Sequence, residues 1–333
     1  MLNLYGDISP RTAGYAAKKL IRRAVPFMNM GRFGQQTTLP RNETNTVKWR
    51  QYSALPPSTA AMVEGVTPTG DSITYRDVTK TLAQYGRHVE ISDVVLDTHE
   101  DRILMDQMER LGQTAAMTQE MICYEAIRAG TNVIYGNSVA NRASVATAIA
   151  TNQLNRALRN LDRNSTPLVT KKLDATDRVS TFGIPACYIA YCHPDMRNDL
   201  ETLSGFRTIE SYSQQAVISD SEIGTYKRIR FLTSPLYTPF LAAGASGSTL
   251  LTNGQGGGAT GNADVYPVII HGEDAWATVN LAGEDSIKPF VINPKHTDSD
   301  PYAQRGKVGF KFYSAATILA DPWMMRCEAG VTQ

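Results

Sequence analysis

One helical stripe constrains this chain more than any other feature. Leu104, Met108, Leu111, Ala115, Ile122 and Ala126 recur at helical spacing across residues 99–129. Thr98 stands where a cap belongs, Asp101 falls in the first turn, and Gly130 is a natural stop. A helix over 99–129 runs roughly 46 Å at about 1.5 Å per residue, far beyond the ordinary length. A rod that long with one apolar stripe has to lie across a flat partner, so the chain needs a sheet beneath a spine helix. Met105, Met108, Met117 and Met121 on it read as packing groups.

The strands for that sheet are spread along the sequence. NTVKWRQYSAL alternates charged and bulky residues through Val47, Lys48, Trp49 and Arg50, a strand period with one wet face. LPPSTAAMVEGVTPTGDS, rich in Pro, Gly, Ser and Thr, follows as a long loop. ITYRDVTKTLAQYGRHVEISDVV is a second extended run, dense in Thr, Val, Tyr and Ile and long for one strand. Together they predict a two-stranded arm running back into the core. Such a ribbon is marginal in water and cannot bury both faces in its own fold. It needs a partner, and that partner can be another copy of the same chain.

Beyond the spine, ASVATAIATNQLNRALRNLDRN predicts a second helix, broken at Thr166-Pro167. FGIPACYIAYC reads as a buried strand, and PDMRNDLETLSGF as a helix with Pro194 near its first turn. Residues 205–240 mix short strands and turns. The glycine-rich ASGSTLLTNGQGGGAT reads as a surface loop, and VYPVIIHG as a buried strand. In KVGFKFYSAATIL, Val308, Phe310, Phe312, Ala316 and Ile318 alternate with Gly309, Lys311, Tyr313 and Thr317; the turn ADP and a strand WMMRCEA follow. The pattern is α+β.

Charge and composition exclude several function classes. A net charge of +1 over 333 residues gives no global bias toward nucleic acid or a membrane surface. No apolar run approaches the roughly 18 residues of a membrane-spanning helix. The opening MLNLYGDISP lacks the basic-then-apolar pattern of a secretory signal. Cys123, Cys187, Cys192 and Cys327 are few and irregularly spaced, as free thiols in a reducing compartment would be. One segment is clearly basic: a helix capped by Ser9 and Pro10 that carries Arg11, Lys18, Lys19, Arg22 and Arg23. It suits a solvated or subunit-facing helix, or one that faces the phosphates of nucleic acid.

The most reactive-looking stretch is CYIAYCHPDMRNDL, residues 187–200. On a strand Cys187 and Cys192 differ by an odd number, so they face opposite sides, and Cys192 and His193 diverge too. A zinc site needs about four convergent ligands, commonly with a C-x2-C pair, and none is spaced that way. The thiols read as small core residues and His193-Pro194 as a helix start. GxSxG, HExxH, Walker and kinase signatures are absent. THED at 98–101 is ordinary helix-start chemistry, and HTDSDP at 296–301 lacks the spacing of a calcium loop. No catalytic, cofactor-binding or metal-binding residue is expected.

Four longer motifs carry a resemblance: YGDISPRTAGYAAKKL, EGVTPTGDSITYRDVTKTLAQYGRHVEISDVVLDTHED, AGTNVIYGN and KVGFKFYSAATILADPWMMR. In them the chain resembles a tailed-bacteriophage major capsid protein of the Hong Kong 97 fold, and within that fold the coat family of N-four-type podoviruses. The likeness covers both ends and the middle third and is weak from 205 to 290. It implies an α+β capsid fold with an N-terminal arm at 1–40, an extended E-loop hairpin at 41–75, and a peripheral domain at 76–140 built on the spine. An axial domain at 141–290 and return strands of the peripheral domain at 291–333 complete it.

The resemblance further implies a non-enzymatic coat protein, without cofactor. Its subunits would form hexamers and pentamers and close an icosahedral shell around double-stranded DNA, bound without sequence specificity. The hairpin would clasp a neighbouring subunit through Trp49, Arg50, Tyr52, Glu64, Tyr75 and Arg76. The implied partners are other copies of the chain, a separate scaffolding protein, a portal and a decoration protein, with no membrane. The implied location is the virion, after assembly in the host cytoplasm. A cross-linked relative joins subunits through a Lys–Asn bond assisted by an acid; those positions are not matched to residues of this sequence, and no cross-link is expected. Only a short arm precedes the fold, where many relatives carry a cleaved, highly charged scaffolding segment, so separate scaffolding and no processing are expected. The competing readings are a non-viral cargo-enclosing shell of the same fold, and a soluble enzyme with its site in 141–290.

Overall fold

Among the described residues two larger sheets, bridged by two direct chain crossings and one long helix, stand beside a separate two-stranded hairpin. The computed structural model describes residues 29–333 apart from 56, 60, 63, 66–69, 95–102, 170–184, 213–216, 247–249, 253–260, 283–286, 293, 295, 297–300 and 333. The basic segment with Arg11, Lys18, Lys19, Arg22 and Arg23, expected to be helical, lies outside the described residues, as do Thr98, Asp101 and most of the glycine-rich stretch.

The chain begins with β1 (Gln35–Leu39), β2 (Thr46–Tyr52), β3 (Tyr75–Thr81) and β4 (Ala83–Ser92). The long extended run is therefore two strands, broken at Leu82. Its N–H donates to the carbonyl of Asn45, and its side chain packs on Leu39, Val47, Val279 and Ala315. The spine, α1 (Ile103–Arg128), follows, then β5 (Val133–Tyr135) and α2 (Thr151–Arg163). Next come β6 (Tyr188–Cys192), a short α3 (Arg197–Glu201), β7 (Phe206–Thr208), β8 (Glu222–Tyr226) and β9 (Ile229–Thr233). The chain closes with β10 (Tyr266–His271), β11 (Trp276–Leu281), β12 (Lys288–Ile292), β13 (Arg305–Ile318) and β14 (Met324–Ala329).

The first sheet is built around β13. β4 pairs along one edge of it, and β12 and β11 share the other, with β1 beyond β11. The alternation of β13 puts Val308, Phe310 and Phe312 on one face, where Met108, Leu111 and Ala115 of α1 cover them. The spine thus lies across a sheet, as its stripe requires. Further along, α1 leaves this sheet for the second. There Cys123, Tyr124 and Ile127 take over the buried stripe, and Ile122 and Ala126 are only half-buried.

The second sheet runs β5-β14-β10-β6-β9-β8-β7. Every residue of β6, β10 and β14 is buried. Such strands lose the alternating pattern because both faces are covered. On one face α2 supplies Leu154, Ala157, Leu158 and Leu161 against Ala190, Cys192, Val268, Ile270 and Cys327. On the other, Cys187, Ile189, Tyr191 and Ile269 meet the C-terminal half of α1.

Three expectations need correction. The second helix starts at Thr151, not near 143, because Val145 and Ile149 are sunk in the core and the carbonyls of Val145 and Thr147 accept from Ala245 and Gly330. Those bonds hold the segment extended. The helix after Pro194 is a single 3-10 turn and the five residues of α3, halted where Gly205 takes φ 91°. The boundary at 290 does not follow the hydrogen bonding. β11 and β12 pair in the first sheet, and β14 pairs with β10 in the second, because the turn Asp321–Trp323 carries the chain from one sheet to the other.

Candidate assembly surfaces

The β2–β3 hairpin is a two-stranded ladder that pairs with no other strand among the described residues. Its register sets Tyr52 opposite Tyr75, Gln51 opposite Arg76, Arg50 opposite Asp77 and Trp49 opposite Val78. Strand alternation then sorts the side chains into two faces. One face carries Lys48, Arg50, Tyr52, Tyr75 and Asp77. Arg50 forks onto Asp77 at 2.9 and 3.2 Å, and Lys48 reaches the same carboxylate at 2.7 Å. The Arg50 guanidinium also lies 4.3 Å from the Tyr75 ring centroid, and Tyr52 meets Tyr75 edge-on at 6.4 Å. Hydrogen bonding from Arg50 and then Lys48 holds the Asp77 carboxyl down at about 2. The ladder is a stiff, mixed apolar and ionic strip, and Asp77, which organises it, had no signal in the sequence beyond strand alternation.

The clasp residues divide accordingly. Arg50, Tyr52 and Tyr75 come together on this strip. Trp49 lies on the other face, half-buried, with its indole N–H 3.4 Å from the Thr37 hydroxyl and its ring against the cluster of Leu39, Val47 and Val279. It anchors the hairpin's root to its own fold. Arg76 is exposed on that same face, and Glu64 is exposed near the tip. Five of the eleven large apolar side chains left exposed among the described residues fall between 52 and 75: Tyr52, Leu55, Met62, Ile73 and Tyr75. Apolar groups so concentrated mark a surface that another molecule covers.

A second feature lies where the N-terminal segment enters the fold. Glu120, on the apolar stripe of α1, is almost fully buried. It accepts from the backbone N–H groups of Asn29 and Met30 at 3.0–3.2 Å and from the Tyr237 hydroxyl at 2.8 Å. Asn29 is held from the other side by Ser219 and Ser221. Burial raises the Glu120 carboxyl to about 7, against the pull of the three donors. The residues that precede Asn29 therefore leave from a clamped root. A lone acid on a helical stripe was the available signal, and its partners were not visible.

Residues 187–200 hold no reactive centre. Cys187 and Cys192 belong to the two opposite core clusters, as alternation predicts. All four cysteines are buried and unbridged, and burial pushes the Cys187 thiol up to about 11 and that of Cys327 to about 12. Thiols so placed stay protonated and inert. His193 accepts the Asp195 N–H at 3.3 Å, so it caps the turn that starts α3. Among the described residues no group of His, Cys, Asp and Glu is arranged to hold a metal. Among them, too, no helix is long and apolar enough to cross a membrane.

The fold is that of the Ralstonia phage GP4 capsid, with a TM-score of 0.65 at 12% identity over 91% of each chain. The cyanophage Pam1 capsid matches with a TM-score of 0.61 at 12% identity, over 93% of this chain and 92% of that one. The SrpI encapsulin of Synechococcus elongatus matches at 0.53 with 11% identity, over 91% and 88%. No curated protein sequence matches. The family model described as phage capsid protein matches residues 75–322, from the outer strand of the hairpin to the turn before β14. With that match over well more than half its length, the chain belongs to the phage capsid proteins, structural proteins of the Hong Kong 97-like fold that build the virion shell.

Proposed function

We propose that copies of this chain form hexamers and pentamers that close an icosahedral shell around the double-stranded DNA of a tailed phage of the N-four type, and that the β2–β3 hairpin is the clasp between neighbours. The observation that carries the clasp is the apolar and ionic strip of Tyr52, Tyr75, Arg50 and Asp77 on a ribbon with no cover of its own. In this reading α1 and the first sheet form the peripheral domain, and α2 with the second sheet forms the axial domain. Residues 1–40 are an arm whose Arg11, Lys18, Lys19, Arg22 and Arg23 face DNA or a neighbouring subunit. A scaffolding protein, a portal and a decoration protein complete the particle, which assembles in the host cytoplasm. Closure comes from many modest interfaces repeated by symmetry rather than from one tight site.

Deleting residues 52–70 tests the clasp. The subunit is expected to fold, with a far-ultraviolet spectrum and melting transition close to the parent's, and electron microscopy is expected to show no closed shells. Normal shells from the deletion would remove the hairpin from assembly. The likeness to an encapsulin favours one second reading, a compartment that encloses protein. Nuclease-protected DNA inside purified shells supports the phage reading, and a protein cargo without DNA supports the other.

A further inference from the structure

One cavity lies apart from these surfaces, at the outer end of the second sheet, with a volume of about 600 Å³. Arg207 on β7, Thr225 on β8 and Arg230 on β9 stand directly opposite one another in the ladder, so they project in one row from one face. Lys227 and Arg228 make the turn between β8 and β9 and border the same cavity. Its facing wall includes Leu168 and the chain from Pro185. Arg230 is buried and paired with Glu222 at 3.1 Å. Arg207, Lys227 and Arg228 are exposed and form no ion pair among the described residues; the Lys227 ammonium donates to the Asn155 side-chain carbonyl at 2.5 Å, a neutral partner that a phosphate would have to displace.

The local choices here disfavour the isolated subunit. Like charges are gathered around one concavity, which costs stability unless something neutralises them. Lys227 takes φ 53°, a left-handed backbone where Gly or Asn is the ordinary resident of a two-residue hairpin turn. A turn of Lys-Arg is thus unfavourable in conformation and in charge together, and such costs persist where function offsets them.

We propose that this cavity binds a small polyphosphate anion, with phosphate oxygens taken by Arg207, Lys227 and Arg228 and a further bond from the Thr225 hydroxyl. Guanidinium forks match phosphate geometry. The volume falls within the roughly 300–1,000 Å³ of small-molecule sites. A nucleic-acid duplex carries its phosphates on a convex surface and would meet a concavity only at its rim. The phosphates can belong to a nucleotide or to free polyphosphate, and the experiment separates the two.

Purified full-length chain is titrated calorimetrically with inorganic tripolyphosphate and, separately, with ATP, at about 0.1 M salt. Saturable binding of one anion per chain is expected. Each of R207A, K227A and R228A should weaken it about tenfold, the loss of one charge-assisted hydrogen bond. These side chains are exposed, and an unchanged melting curve verifies that each variant folds. R228K, which keeps the charge and loses the fork, should bind more weakly than the parent and more tightly than R228A. Equal affinity for the two probes assigns recognition to phosphate alone, and tighter ATP binding assigns the cavity to nucleotides. The proposal falls if neither probe saturates at millimolar concentration, or if R207A/K227A/R228A binds as the parent does. It falls equally if a single-stranded oligonucleotide displaces both probes through these residues, which would make this a nucleic-acid contact.

Discussion

The β2–β3 hairpin and the β6–β10–β14 centre of the second sheet are both antiparallel or mixed ladders of five to seven residues per strand, yet they bury themselves in opposite ways. In the sheet centre every residue is buried, between α2 and the end of α1. In the hairpin strands only Val47 is. Sheet-centre stability is therefore intramolecular, while the hairpin's exposed strip gains its burial only against another molecule. Substitutions should separate accordingly: those in the centre unfold the subunit, and those in the hairpin spare the subunit and disable the shell.

The largest expected effect lies in the core. Glu328 on β14 is fully buried, accepts two bonds from Arg142 at 2.7 and 2.8 Å, and faces Arg326 at 2.7 Å. Glu328→Ala strands those guanidiniums and should cost about 3–5 kcal/mol, read as a lowered denaturant midpoint. A midpoint equal to the parent's would contradict the assignment of this network to the core.

Glu120→Ala comes next. Two backbone N–H groups and the Tyr237 hydroxyl lose their acceptor, for a loss of about 2–3 kcal/mol, with protease cleavage appearing near Asn29. The pH dependence has a definite sign. The carboxyl rises from 4.5 in the unfolded chain to about 7 when folded, so the folded chain holds the extra proton between those values. This contribution is full below 4.5 and is lost as pH rises through about 7. Glu120→Gln removes that dependence, so melting of the variant should decline less than the parent's between pH 5 and 8. Parallel declines would show that Glu120 does not titrate there.

The hairpin should behave in reverse. Tyr52→Ala with Tyr75→Ala should move subunit stability by no more than ~0.5 kcal/mol and abolish closed shells under the electron microscope. Unfolding of that double variant would break the comparison. The smallest effect is on Asp77. Its folded-state pKa lies below the ordinary value, so its contribution is present above 3.8 and lost as pH falls through about 2. The group is half-buried, but its partners Lys48 and Arg50 are exposed and salt screens the pairs. Asp77→Asn should therefore leave melting unchanged and slow assembly to the same degree at every pH from 4 to 8. A variant that slows assembly only at one end of that range would point to another titrating group.

Much of this contrast is legible in the sequence. The spine, the unpartnered hairpin, the alternation of β13 and the opposed thiols of Cys187 and Cys192 all follow from periodicity, which is a property of neighbouring residues. The resemblance to capsid proteins rested on contiguous motifs for the same reason.

What tertiary structure alone decided involves residues far apart in the chain. Glu120 meets Asn29 across 91 residues, and Glu328 meets Arg142 across 186. Both acids sit in segments whose local pattern reads as apolar packing, and only their distant donors explain why a carboxylate is tolerated there. The late start of α2 has the same origin, because residues 145–149 pair with the chain near 245 and 330 rather than with themselves. So does the crossing of β14 into the second sheet, which depends on finding β10 as its neighbour. Local periodicity specifies which elements form and which faces are apolar. Partners for buried polar groups and neighbours for strands are set by closure of the whole chain.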